Sequence, residues 1–179
     1  LCCYTGQRIE ETTAHIEHLK PQSAFKQNHE DVDYRNLLAA YPGENASRCN
    51  YGAHAKDNWY DEQLLISPLN RRCESVFRFD QFGRIKPNKE SEAAATETIN
   101  RLCLDNQALT ELRRQAIQSS LFRNKQPLRG AQLQRIAESY NLTKSDGKFP
   151  QFCFVIVQAA QELLRKKAQN RTREAAIQS

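Results

Sequence analysis

Methionine is absent from the 179 residues and the chain opens on Leu1, so the natural N-terminus is expected to lie upstream. Long apolar runs are absent too. The longest, FCFVIV at 152–157, is far shorter than the about 20 residues a membrane-spanning helix needs. With no secretory signal pattern either, the expectation is a cytoplasmic protein with no membrane role. No phosphate loop of the GxxxxGK type occurs, so any ATP dependence has to come from another chain. Neither an internal repeat nor a low-complexity tract is present. Cysteine is not scarce, at six, but a disulfide framework is missing: Cys2 and Cys3 are adjacent, and Cys73, Cys103 and Cys153 are scattered. That spacing fits reduced thiols.

What is present is an ordinary polar composition, 39% hydrophobic and 26% charged, with net charge +5. The charge is unevenly spread. Residues 1–90 hold 12 Lys/Arg against 13 Asp/Glu, a balance of −1, and residues 91–179 hold 14 against 8, a balance of +6. A basic half of this kind either contacts a polyanion or is simply a solvated surface.

Texture changes at the same place. Up to residue 90 the chain is rich in turn formers and aromatics with short apolar segments. CCYTGQRIE reads as a turn leading into a strand, and TAHIEHLKP as a second strand closed by Pro21. The loop QSAFKQNHEDVDY follows, in which His29 is expected to be exposed and idle. Leu37, Leu38 and Tyr41 in RNLLAAYP then suggest a short buried helical turn ended by Pro42 and Gly43. SVFRFDQFGRIKP alternates and turns near Gly83, a hairpin signal. From Ser91 the period is helical. DNQALTELRRQAIQSSLF has Asp105 or Asn106 as N-cap, a shorter helix covers Ala131 to Ser139, and FCFVIVQAAQELLRKK starts after Pro150. The apolar stripe from Phe152 to Leu164 is core or interface. The basic tail continues that helix or frays.

The chemistry-bearing residues lie in the first ninety. AHIEHLKP places His15 and His18 around Glu17. A neutral imidazole is a general base for water, and a neighbouring carboxylate holds a divalent cation. Adjacent strand residues face opposite ways, so a distortion before Pro21 is needed for both to serve one site. The bland reading is a structural histidine on a strand. Asn36 either caps a turn or fixes the imidazole or its loop. His54, in CNYGAHAKDNW near a helix start, supplies a nitrogen ligand for a cation. Lys56 follows closely and either touches a phosphate or is solvated.

Together, IEHLKP, YRNLLAAYPG and GAHAKDNW resemble the HNH endonuclease family, and most closely the PtuB family of HNH subunits in Septu-type and retron-associated antiphage systems. DEQLLISPLNRRCESVFRFDQFGRI is similar to that subfamily as well, so the likeness covers about the first ninety residues. It implies an α+β fold: an N-terminal ββα-metal nuclease core and hairpin over residues 1–90, then a basic helical region over 91–179 for partner or nucleic-acid contact. It implies His18 as general base, Glu17 and His54 as metal ligands, and Asn36 as the residue orienting the site, with His15 reaching the metal or merely packing. Mg2+ is the expected ion, with Mn2+ or another transition metal able to replace it.

The likeness breaks at the zinc knuckles of many HNH proteins. The corresponding spacings here are Cys2-x-x-Thr5 and Cys49-x-x-Gly52, so a four-thiolate site cannot form from them. Cys3 or Cys73 would have to substitute. A structural zinc is therefore not expected, and packing around Tyr4, Trp59 and Tyr60 is expected to brace the core instead.

The implied function is metal-dependent hydrolysis of phosphodiester bonds in nucleic acid, DNA before RNA, within an antiphage complex. Its partners would be an ABC-type ATPase subunit, PtuA, and in a retron setting a reverse transcriptase and its DNA product. The alternative is a catalytically inactive HNH-like subunit that binds nucleic acid or acts as an adaptor.

Overall fold

The computed structural model describes residues 1–24, 32–44 and 46–177, which excludes His29 and most of its loop. The chain is mixed α+β and divides into two units. The first comprises Leu1–Arg78 with Ile85–Thr110, and the second Phe79–Arg84 with Glu111–Ser179. In chain order the elements are β1 (His15–His18), β2 (Leu37–Ala40), α1 (Ala53–Lys56), α2 (Cys73–Val76), β3 (Phe77–Phe79), β4 (Ile85–Pro87), α3 (Ala93–Arg101), α4 (Gln107–Leu121), β5 (Phe122–Arg123), β6 (Gln126–Pro127), α5 (Gly130–Tyr140) and α6 (Cys153–Ile177). Among the described residues every sheet has two strands. No helix among the described residues is long and apolar enough to cross a membrane.

In the first unit β1 and β2 run antiparallel, with His18 opposite Leu37 and His15 opposite Ala40. Leu37–Ala40 is thus a strand and not the helical turn its composition suggests. Leu and Ala favour helix intrinsically, but that preference is a fraction of a kcal/mol per residue. The β1 edge offers a full set of backbone partners, and Ala40 is completely buried by the pairing. A single 3₁₀ turn, Tyr34–Asn36, delivers the chain to β2; Asp33 caps it by accepting from the Arg35 N–H at 2.9 Å.

The strand expected in the first nine residues does not form. Instead Cys2 and Gly6 close a turn, the Gly6 N–H donating to the Cys2 carbonyl at 3.0 Å, and the Cys3 N–H ties it to the Ala39 carbonyl of β2 at 3.0 Å. Cys2, Ala40 and Ala53 form a buried cluster against which Cys3, Tyr4, Ile9 and Tyr41 pack. Tyr4 belongs to this core as expected, whereas Trp59 and Tyr60 are only half-buried and lie outside the cluster. Each carries a cation: the Arg101 guanidinium lies 5.6 Å from the Trp59 ring, and the Lys20 ammonium 5.6 Å from Tyr60.

Helix α1 is one turn long. The chain enters it through Gly52 at φ 66, ψ −136, a conformation open in practice only to glycine, and the Gly52 N–H donates to the Leu102 carbonyl at 2.8 Å. That bond moors α1 to the end of α3. Thr98 of α3 bonds both the Leu64 carbonyl and the Ile66 N–H, fixing the segment beyond α1.

The second unit is built from α4, α5, α6 and the tip of the β3–β4 hairpin. Asn106 caps α4 through the Ala108 N–H at 2.9 Å. The stripe of α6 is core: Phe152, Val155, Ile156, Ala159, Ala160 and Leu163 are buried. The basic tail continues α6 as far as Ile177. Asn124 and Lys125, both at positive φ, make the two-residue turn between β5 and β6.

Candidate active site

Strand β1 shows His15 and Glu17 on one face, two residues apart, with His18 at its end. All three line one cavity of about 470 Å3 in the first unit, together with Arg48, His54 and Asp57. Four of the residues singled out in the sequence therefore meet: His15, Glu17, His18 and His54. The rings of His15 and His54 stack at 5.8 Å between centroids, 26° from parallel.

Asn36 is not in that cavity wall. It is buried behind it, where its side-chain oxygen accepts from the Lys20 N–H at 2.8 Å and its amide donates to the Lys20 carbonyl at 3.0 Å. Its backbone carbonyl also accepts from the Leu19 N–H at 3.0 Å. These bonds fix the two residues that follow His18, so the amide holds the segment leaving the strand and sets the position of the imidazole through it.

Lys56 is neither a solvated lysine nor a phosphate contact. It is 1% exposed, and its ammonium donates to Glu17 Oε1 at 2.9 Å, to the His18 carbonyl at 3.0 Å and to the Asp57 carbonyl at 3.4 Å. The Tyr4 hydroxyl donates to the same Glu17 oxygen at 3.2 Å. Burial, reinforced by the nearby Cys3 and Glu17, raises the Tyr4 phenol above its ordinary range and keeps it a donor. Glu17 Oε2 instead faces His15 Nε2 at 3.8 Å.

His54 Nδ1 accepts from the Cys49 N–H at 3.1 Å. Burial, with His15 and Arg48 adding to it, holds the His54 ring below the usual histidine pKa. His15 Nδ1 donates to the Pro42 carbonyl. Arg48, exposed at the rim, donates to the His54 carbonyl at 3.3 Å. Neither Arg48 nor Tyr4 was assigned a role in the site by sequence, since their partners lie on other segments and no spacing motif marks them.

Two of the residues at the knuckle positions, Thr5 and Gly52, come together. A methyl group on Gly52 would sit 3.1 Å from Thr5 Cγ2, so the side chain of Thr5 fills the space beside Gly52. Cys2 is buried with its sulfur accepting from the Tyr41 N–H at 3.3 Å. Hydrogen bonding from Cys3, Thr5 and the Tyr41 and Tyr4 backbone outweighs burial and brings its pKa down to about 5; the same Cys3–Cys2 bond pushes Cys3 up.

Among the described residues no group of three or more His, Cys, Asp and Glu side chains is closed enough to hold a metal ion. The donors that do face each other, one carboxylate oxygen and one imidazole nitrogen at a cavity wall, fit a divalent cation that keeps most of its shell for water and phosphate. No protein-family profile matches this chain, and no curated protein is significantly similar to it.

Proposed function

We propose that the chain is a metal-dependent endonuclease of the HNH type, with a ββα-metal core formed by β1, β2 and α1. One observation carries the reading: β1 and α1 deliver a carboxylate and three imidazoles to a single cavity. Phosphodiester hydrolysis needs a base and a cation anchor side by side, and this cavity offers both.

In this reading His18 takes the proton from the attacking water. Asn36 keeps it aimed by clamping Lys20, and Lys56 holds the His18 carbonyl and one oxygen of Glu17. Glu17 is the anchor for the cation, which when bound stabilises the charge on the phosphate and on the departing oxygen. Arg48 stands at the rim, where a guanidinium pairs with a phosphate. The ABC-type ATPase partner and the antiphage setting belong to the same proposal and rest on the sequence resemblance.

The test is cleavage of duplex DNA, single-stranded DNA and RNA with Mg2+ or Mn2+. The wild type is expected to cut at least one of them and to stop in EDTA. His18→Ala should lose about 100-fold or more while keeping its fold. Cleavage that survives both EDTA and His18→Ala sinks the mechanism, and metal-indifferent binding without cleavage makes the chain an adaptor.

A further inference from the structure

Two histidine rings are stacked in the cavity that Glu17 lines, and their backbone partners and the reach of His15 to Glu17 tell them apart. We infer that His15 ligates the cation through Nε2 and that His54 supports it as a positioning residue. This assignment rests on the reading of the cavity as a cation centre and names the imidazole within it.

A carbonyl can only accept, so the Pro42 oxygen fixes His15 as Nδ1–H. In the neutral ring Nε2 then carries the lone pair. A histidine held by a carbonyl at one nitrogen and free to coordinate at the other is the usual metal-binding arrangement. His15 Nε2 faces Glu17 Oε2 at 3.8 Å. That is too long for a hydrogen bond, and the two atoms need only close to about 3.0 Å to take adjacent octahedral positions on one cation about 2.1 Å from each. The other Glu17 oxygen is already taken by Lys56 and Tyr4, which leaves Oε2 as the ligating atom.

His54 is fixed the opposite way. A backbone N–H can only donate, so Cys49 makes His54 Nδ1 an acceptor and sends the proton of the neutral ring to Nε2. Coordination through Nε2 would require breaking that 3.1 Å bond and moving the proton. What His54 does supply is a flat face against His15. A cation held by one carboxylate and one imidazole keeps open positions for water and for the scissile phosphate. Imidazole as a ligand also favours Mn2+ over Mg2+.

The direct measurement is a long-range 1H–15N imidazole spectrum of the full chain without metal. His15 should appear as the Nδ1–H tautomer and His54 as Nε2–H. On adding Zn2+ as a diamagnetic probe, the ligation shift should fall on His15 Nε2. In a second arm, Mn2+ binding is followed by electron paramagnetic resonance. His15→Gln should weaken it by about tenfold or more, while His54→Phe, which keeps a stacked ring, should bind within a small factor of wild type. Reversed tautomers, a ligation shift on His54, or an equal loss in His54→Phe overturns the assignment. If His15→Gln does not fold, the spectra of the wild type decide alone. A wild type that binds Mn2+ and cleaves with the two roles exchanged removes only this assignment. A wild type that neither binds Mn2+ nor cleaves removes the cation centre altogether, and this assignment with it.

Discussion

A lysine is almost never fully buried unless it is paired, and Lys56 meets that condition with a carboxylate and two carbonyls. Its charge is compensated within the protein, so it acts on Glu17 and not on a ligand. Replacing it leaves the carboxylate without its ammonium and the His18 carbonyl without its donor. Lys56→Met should therefore destabilise the chain by about 3–5 kcal/mol, read as a lower urea midpoint at unchanged slope. A solvated lysine would give almost no change. The sequence could not show this, because the partners of Lys56 lie on β1, far upstream, and a lysine two residues after a histidine carries no sign of burial. His15, Glu17, His18 and His54 were legible as chemistry-bearing types at suggestive spacings. Their backbone partners, which separate one imidazole from another, were not.

At the scale of elements, the outcome depends on whether a segment is decided locally. Helices α4 and α6 were legible because an apolar stripe agreed with a local start signal, the Asn106 cap for α4 and Pro150 ahead of α6, and α5 was read from its helical period. The β3–β4 hairpin was legible from alternation around Gly83. Strand β2 was not, because Leu-Leu-Ala-Ala has helical composition and becomes a strand only through β1. The segment after β1 depends in turn on Asn36. Asn36→Ala removes both side-chain bonds to Lys20 and should cost about 1–3 kcal/mol. The Lys20 amide should then exchange faster with deuterium, and cleavage should fall although no residue of the cavity wall has changed. An Asn36 that merely capped a turn would leave the Lys20 amide protected.

For the whole molecule, the charge divides more sharply along the structural units than along sequence halves. The unit of Phe79–Arg84 and Glu111–Ser179 holds 14 Lys/Arg against 6 Asp/Glu, a balance of +8. The remaining 12 Lys/Arg against 15 Asp/Glu give the other unit −3. On the proposed nuclease reading, the basic unit is where phosphate attraction is expected, beside a slightly acidic unit that holds the cavity. Arg123 and Lys125 are exposed at the tight β5–β6 turn. The double variant Arg123→Gln/Lys125→Gln should weaken nucleic-acid binding and lower the slope of log affinity against log salt by up to about 2. Unchanged affinity and slope would place the contact elsewhere.

The Thr5 side chain lodged beside Gly52 has a practical corollary. Proteins whose cores are clasped by thiolate-bound zinc unravel when a chelator strips the ion, so a loss of turnover in EDTA cannot be assigned to chemistry. Here the Thr5 methyl packs beside Gly52, where two of that clasp's ligands would stand. The core should therefore stay folded in EDTA, its melting temperature lower only by the small stabilisation a cation at Glu17 adds. Chelation then becomes a clean reagent for the proposed activity: cleavage that stops in EDTA while the scaffold still stands is lost at the cavity and not by unfolding.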